Sequence, residues 1–228
     1  MSGAGDTAGD PSTGSGVVGA SEVWPLFGLR LTAPDVVLRP ATESDQVSLA
    51  AQVPDDLELD PGATRYAVDK ALNRRAAVMQ GYWSALGTWT TEEWVLPMII
   101  VHAGVVVGSQ TLEGTRFPEV RTVDSSSWLV PSARGRGWGR QARAAVLALA
   151  FADLGAEAAV TSAWRDNHAS LAVSRALGYV DNGVSLHPRG DGRGDMLHLR
   201  LTRAKWASRR QLSVSVTGFA PCRPYFGL

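Results

Sequence analysis

The spacing of apolar positions divides the chain into alternating strands and helices. Pro34-Asp35-Val36-Val37-Leu38-Arg39-Pro40 predicts a short strand, and Thr42-Glu43-Ser44-Asp45 after it supplies helix N-terminal chemistry ahead of Val47, Leu49 and Val53. From Ala67 to about Leu86, Val68, Leu72, Ala76, Met79 and Trp83 recur at three- and four-residue intervals, which places them on one face of a second helix. A loop bearing Trp89 follows. Trp94 to His102 and Val105 to Thr111 are apolar runs on either side of Ala103-Gly104, the pattern of a β-hairpin. Arg121 to Val130 predicts another strand, stopped by Pro131.

Beyond it, the arginine- and glycine-rich loop Ser132 to Gly139 opens a strongly apolar helix that ends near Gly155. Glu157 to Ser162 predicts a short buried strand. Asp166 or Asn167 can cap a helix running to Leu177, and Gly178 is a natural stop before a strand over Tyr179 to Ser185. His187 to Gly194 reads as a loop, and the alternating Met196, Leu197, Leu199 and Leu201 as the last core strand, with Trp206 beyond it. Residues 208–228 read as a C-terminal extension or an added strand. Residues 1–22 lack periodicity and read as a disordered tail, with the fold starting near Trp24. Each long helix follows a strand, so the pattern predicts an α/β fold: one domain over residues 23–207, a mixed sheet with helices on both faces.

With 228 residues, 45% of them hydrophobic, the chain can bury one sizeable core. Its 22 basic and 22 acidic residues cancel, so no global field favours a nucleic acid or an anionic membrane, and neither is expected as a partner. Any anion site must be local. Cys222 is the only cysteine, which excludes an intramolecular disulfide and fits a reducing, cytoplasmic setting. The first residues lack the basic start and apolar stretch of a secretory signal. Apolar runs such as Trp94 to Val101 and Ala144 to Ala152 stop short of the roughly 18 residues of a membrane span, so a soluble protein is expected. His168, His187 and His198 lack metal-site spacing, and no metal is expected.

The stretch most informative for chemistry is Trp128 to Gly139, WLVPSARGRGWG. Glycines at 135, 137 and 139 allow close backbone approach, and the first amides of the following helix have no intrahelical acceptors. With Arg134, Arg136 and Arg140 beside them, these amides can hold a diphosphate at the positive end of the helix dipole. The plainer alternative is a glycine loop with solvated arginines. A Rossmann fingerprint would need glycine where Arg140 stands, and a P-loop would need Gly-Lys-Ser/Thr, which is absent.

Arg134-x-x-Gly137-x-Gly139 resembles the Arg/Gln-x-x-Gly-x-Gly/Ala signature of the GCN5-related N-acetyltransferase (GNAT) superfamily. A second block, DNHASLAVSRALGY, is similar to the family's next motif through Asn167, Ser170, Gly178 and Tyr179. The resemblance covers residues 24–207 and is nearest the RimJ/RimL branch. It implies a single GNAT-type domain whose mostly antiparallel central sheet is splayed at the middle strands. It also implies acyl-CoA, acetyl-CoA or succinyl-CoA, as co-substrate, and direct attack by a primary amine of a small molecule or protein within a ternary complex.

By the same resemblance, Trp128, Leu129 and Val130 border the pantetheine arm. Leu129 and Val130 pair with it through the backbone, and the amide of one of them faces the thioester oxygen. Arg134, Gly135, Arg136, Gly137, Trp138, Gly139 and Arg140 hold the diphosphate, while Asn167 and Ser170 contact the CoA arm. Asp124 is the expected general base, with Glu113 second; the alternative for Asp124 is a carboxylate paired with Arg121 or solvated. Ser126 shares its strand face by two-residue alternation and either joins a proton path, positions the amine, or is filler.

The chain departs from the family at Ser174, where many members carry a tyrosine that protonates the leaving thiolate. Ser170, Ser174 or water would have to serve instead, unless no acid is needed. Tyr179 reads as structural. Trp83, Trp89 and Trp94 read as core, or as walls of an acceptor pocket. A succinyl donor would need a cation at its acyl end, with Arg116, Arg121 and His102 as sources. The rival reading is a CoA-sensing or partner-binding module that has lost transfer, and the assembly, monomer or homodimer, stays open.

Overall fold

A computed structural model describes residues 18–58, 63–210 and 212–228. The expectation for the first 17 residues lies outside this range. Residues 20–22, assigned to the tail by sequence, belong to one helical turn, α1 (Ala20–Val23), followed by a 3-10 turn that seats Leu26 in the core. Strand β1 (Arg30–Thr32) was not anticipated. It pairs antiparallel with β2 (Val37–Pro40), which begins three residues later than the sequence suggested.

Helix α2 (Glu43–Ala51) starts where Thr42 and Asp45 cap each other's backbone: the Thr42 hydroxyl accepts from the Asp45 N–H, and the Asp45 carboxylate accepts from the Thr42 N–H. Its buried side carries Asp45, Gln46, Leu49 and Ala50, whereas Val47 is exposed.

Helix α3 (Lys70–Gly87) follows, and the apolar stripe read on one of its faces is not its most buried side. Val68, just ahead of the helix, is fully exposed, Leu72 and Trp83 are each 50% exposed, and Ala76 and Met79 are half-buried. The buried side carries Asn73, Tyr82 and Ala85. Asn73 fastens the helix start by accepting from the Tyr66 and Ala67 amides and donating to the Ala67 carbonyl, and Tyr82 packs with Leu49 and Ile99. Small and polar residues that satisfy local backbone groups thus won over the longer apolar side chains.

Strands β3 (Trp94–His102) and β4 (Val105–Gly114) form the central hairpin. Ala103 (φ 47°) and Gly104 (φ 80°) supply the two left-handed residues that a tight hairpin turn needs. Along β3, Leu96, Met98 and Ile100 enter the larger core, while Ile99 meets Leu49 and Tyr82 on the opposite face.

After a helical turn, α4 (Phe117–Val120), the segment expected as one strand is two: β5 (Thr122–Asp124) and β6 (Ser127–Leu129). Helix α5 (Trp138–Ala148) runs into a π turn over Leu149–Asp153 and packs its Ala142 and Ala144–Leu147 stretch against the larger core. Then come β7 (Ala158–Trp164), α6 (His168–Leu177), β8 (Val180–Arg189) and β9 (Gly192–Thr202). The last two form a long hairpin with its turn at Gly190-Asp191, so much of the loop expected over residues 187–194 is strand. Trp206 lies in α7 (Arg203–Ala207), and β10 (Ser215–Thr217) adds to the free edge of β1.

The result, among the described residues, is an α/β fold around one ten-stranded sheet in the order β10-β1-β2-β3-β4-β5-β7-β9-β8, with β6 paired to β4. Of these described pairs, only β5 and β7 run parallel; the others are antiparallel. The site depends on one detail of this order. β4 keeps a single register along both β5 and β6, from Glu113↔Asp124 to Gly108↔Leu129. β7 follows β5 only as far as Asp124↔Val160, so β6 and β7 part and leave a wedge in the middle of the sheet. At Gly108 a Cβ would stand 2.3 Å from the Trp128 carbonyl oxygen, so glycine permits the close approach of β4 and β6.

Candidate active site

The wedge between β6 and β7 holds a cleft of about 460 Å³, walled by Ser125, Ser126, Ser127, Thr161, Asn167 and Ser170, with Arg143 among its lining residues. Thr111 N–H donates to Ser126 and Val130 N–H to Val107, so alternation of the antiparallel ladder turns the backbone groups of Ser127 and Leu129 toward the wedge. The Leu129 carbonyl accepts from Arg134 Nε, which leaves the Leu129 and Ser127 amides as the donors facing the gap. Val130 is withdrawn as a pantetheine partner, since its N–H is spent on Val107 and its carbonyl on Ala133. Trp128 is likewise withdrawn: its side chain lines a pocket on the other face of the sheet.

Beyond the C-terminal end of β6, Gly137, at φ 81°, caps α5 without any side-chain hydrogen bond. The amides of Trp138, Gly139 and Arg140 therefore begin the helix without intrahelical acceptors. No atom lies within 4 Å of where a Cβ would stand at Gly135 or Gly137. An open turn with unspent amides fits a diphosphate, and the residues present fit a CoA thioester in the wedge.

The side chains around this turn are partly committed. Arg134 forms a two-pronged ion pair with Asp56 (2.6 and 2.8 Å), Arg136 donates to the Ser132 carbonyl, and Arg140 is exposed. Trp138 stacks on His102 (3.9 Å between ring centres) rather than facing the cleft. Asn167 accepts from the Ser170 N–H, which caps α6 and sets both residues at the cleft wall. Ser174 is 1% exposed and donates to the Ser170 carbonyl, so it does not reach the cleft. It is withdrawn as a proton donor.

On the opposite face, under α2 and α3, a second pocket of about 360 Å³ is lined by Tyr82, Ser109, Thr111, Glu113 and Trp128. Two hydroxyls link it to the cleft: Ser126 Oγ lies 2.7 Å from Thr111 Oγ1, which donates to Glu113 at 3.0 Å. Asp124 is cross-strand from Glu113. Solvent still reaches its side chain, but the protein packed around it pushes its carboxyl up to about 6. Glu113 adds to the rise, while the Ser125 N–H (2.6 Å) and the Arg143 charge hold it back. Asp124 makes no ion pair with Arg121, whose guanidinium sits over Phe117 and donates to the Leu154 carbonyl.

Trp94 is core and Trp89 packs against it, whereas Trp83 is half exposed; none of the three lines the second pocket. Sequence reasoning missed Asp56, Ser127, Thr111 and Arg143. Arg143 left a legible mark, a charge in the middle of an apolar helix.

A family model described as "Acetyltransferase (GNAT) domain" matches residues 35–180, more than half of the chain. Among solved structures, Mycobacterium smegmatis RimJ in complex with CoA-disulfide is similar at 20% identity and a TM-score of 0.65, covering 80% of this chain and 88% of that one. A spermidine N-acetyltransferase SpeG chimera from Vibrio cholerae and hSSAT is similar at 15% identity and a TM-score of 0.60, covering 77% and 99%. RimL, a ribosomal L7/L12 alpha-N-protein acetyltransferase, is similar at 18% identity and a TM-score of 0.56, covering 75% and 91%. At these identities the structures speak for the fold, and the family match covers both the glycine turn and Asn167. This chain belongs to the GNAT acetyltransferase family.

Proposed function

We propose that the chain transfers an acyl group from an acyl-CoA to a primary amine, with the donor in the wedge and the acceptor in the pocket beneath α2 and α3. The observation that carries this reading is that the unspent α5 amides and the Asp124–Glu113 pair lie on either side of one linked passage. Bound acyl-CoA supplies an activated acyl carbon and a thiolate leaving group. The α5 amides, with Arg134 once it exchanges Asp56 for phosphate, hold the diphosphate. The Leu129 and Ser127 amides pair with the pantetheine arm, and one of them faces the thioester oxygen.

An alkylamine with an ordinary pKa near 10.4 arrives protonated at neutral pH. Glu113, lining the pocket, attracts the ammonium, and Asp124 takes the proton, directly or through water; a carboxyl near 6 is ionised at pH 7 yet more basic than an ordinary aspartate. Ser126 and Thr111 position the nitrogen. The nitrogen then forms the new C–N bond as the C–S bond breaks, its second proton passes to water, and the thiolate takes a proton back from water, since Ser174 faces away. The acceptor class includes protein N-terminal amines, the class named for the RimL neighbour, and small polyamines, the class named for the SpeG neighbour.

The test is free-thiol release and acceptor mass shift with acetyl-CoA and succinyl-CoA against a panel of peptides and polyamines. Turnover with any amine supports the reading. Tight CoA binding with no turnover across the panel supports the sensor module instead.

A further inference from the structure

Among the described residues, six buried side-chain polar atoms lack a partner in good hydrogen-bond geometry, and three of them, Ser125 Oγ, Arg143 Nε and Tyr179 Oη, belong to one cluster in which the Tyr179 hydroxyl reaches only toward Ser125 and the Arg143 guanidinium. Buried polar atoms are nearly always paired, so a cluster of poorly paired ones calls for an explanation. Arg143 is the centre of it. It is only 3% exposed, it forms no ion pair, and its guanidinium makes two long contacts, to Thr161 Oγ1 (3.2 Å) and Ser127 Oγ (3.3 Å). Asp124 lies near enough for the charge to be felt, without contact. A buried guanidinium served only by hydroxyls is costly and wants an anion.

Its place decides which anion. Ser127 and Thr161, which it bridges, stand on the two strands that diverge, and Thr161 donates to the Ser125 carbonyl where the wedge closes. The unspent amides are at the open end, six residues earlier on α5, about 9 Å along the helix. A donor whose diphosphate sits at Gly137 and whose arm follows β6 brings its acyl end toward the closed end. The three groups there can all donate, whereas a carboxylate only accepts, at about four sites.

We propose that Arg143, with Ser125 and Tyr179, is a carboxylate subsite for the far end of a short dicarboxylic acyl chain, so that the preferred donor is a thioester of the succinyl-CoA class. An acetyl methyl would leave the guanidinium without a counter-charge. The cations expected from sequence are engaged elsewhere: Arg116 with Glu119, Arg121 with Phe117 and Leu154, and His102 with the Asp35 carbonyl and Trp138. This inference rests on the N-acyltransferase reading and names its donor.

The test is calorimetric titration of the full chain, and of Arg143→Met, with CoA, acetyl-CoA and succinyl-CoA. A hydrogen-bonded charge pair predicts that succinyl-CoA binds roughly tenfold or more tighter than acetyl-CoA, and that Arg143→Met removes this preference. CoA binding with a ratio of one or less in the unaltered chain overturns the subsite while leaving the transferase reading intact. A preference that survives in folded Arg143→Met overturns the role of Arg143. Failure of the folded chain to bind CoA at all overturns both readings. Should the variant not fold, the ratio in the unaltered chain decides.

Discussion

Glu113 on β4 and Asp124 on β5 are cross-strand partners, two carboxylates side by side on the sheet face beneath α2 and α3. Like charges opposite one another are unfavourable. Together with burial, the first cause of its shift, this keeps the Asp124 carboxyl at about 6.

Asp124→Asn removes a titrating base. We expect kcat/KM at neutral pH to fall roughly 10²–10⁴-fold, with loss of the inflection near pH 6. The same group has a stability signature. The folded chain holds this proton more tightly than the unfolded chain, so stability falls as pH rises from about 4 to about 6. Asp124→Asn escapes that fall and should melt above the unaltered protein at pH 7, with the gap narrowing toward pH 4. Melting curves of equal spacing across that range would take Asp124 out of this account.

Gly137 combines a left-handed backbone with an open space where phosphate oxygens would lie. Gly137→Asp puts a negative charge there and should abolish CoA binding in titration. Gly137→Ala adds only backbone strain, about 1 kcal/mol of stability. CoA affinity unaltered by the aspartate would show that the α5 N-terminus is not the anion site.

In the proposed complex Asp56 competes with phosphate for Arg134, with which it is paired in the free chain. Both partners are substantially exposed, so the pair contributes at most about 1 kcal/mol. Asp56→Ala should therefore tighten CoA binding by no more than about fivefold at low ionic strength. The gain should vanish in high salt, where the pair is screened. Weaker binding in Asp56→Ala would mean that the loop carrying Asp56 supports the donor rather than competing with it.

Ser174 is buried and bonded to its own helix. Ser174→Ala should leave steady-state turnover within about twofold, at a stability cost of roughly 1 kcal/mol. A tenfold fall in kcat with KM unaltered would restore it as the proton donor to the thiolate.

The hairpin, the glycine turn, α5 and the capped start of α6 were legible because each is written in residues close together in sequence. Ala103-Gly104 suits only a tight turn, Gly137 suits a left-handed cap, and Asn167 satisfies the amide of Ser170, three positions on. Local bonding fixes such features wherever the rest of the chain goes. The buried side of α3 was not legible, because Asn73 and Tyr82 are drawn inward by residues 66–67 and by Leu49 and Ile99, whose positions depend on the whole sheet. The same holds for the availability of backbone donors. Val130 and Leu129 are adjacent apolar residues, and only the register of β6 on β4 determines which amide faces the wedge. Sequence alone thus determined the family, the mixed sheet and the glycine turn. Tertiary structure alone brought Asp124 beside Glu113, turned Ser174 away and set Arg143 in the wedge without a counter-charge, because pairing across strands and burial are properties of neighbours distant in sequence.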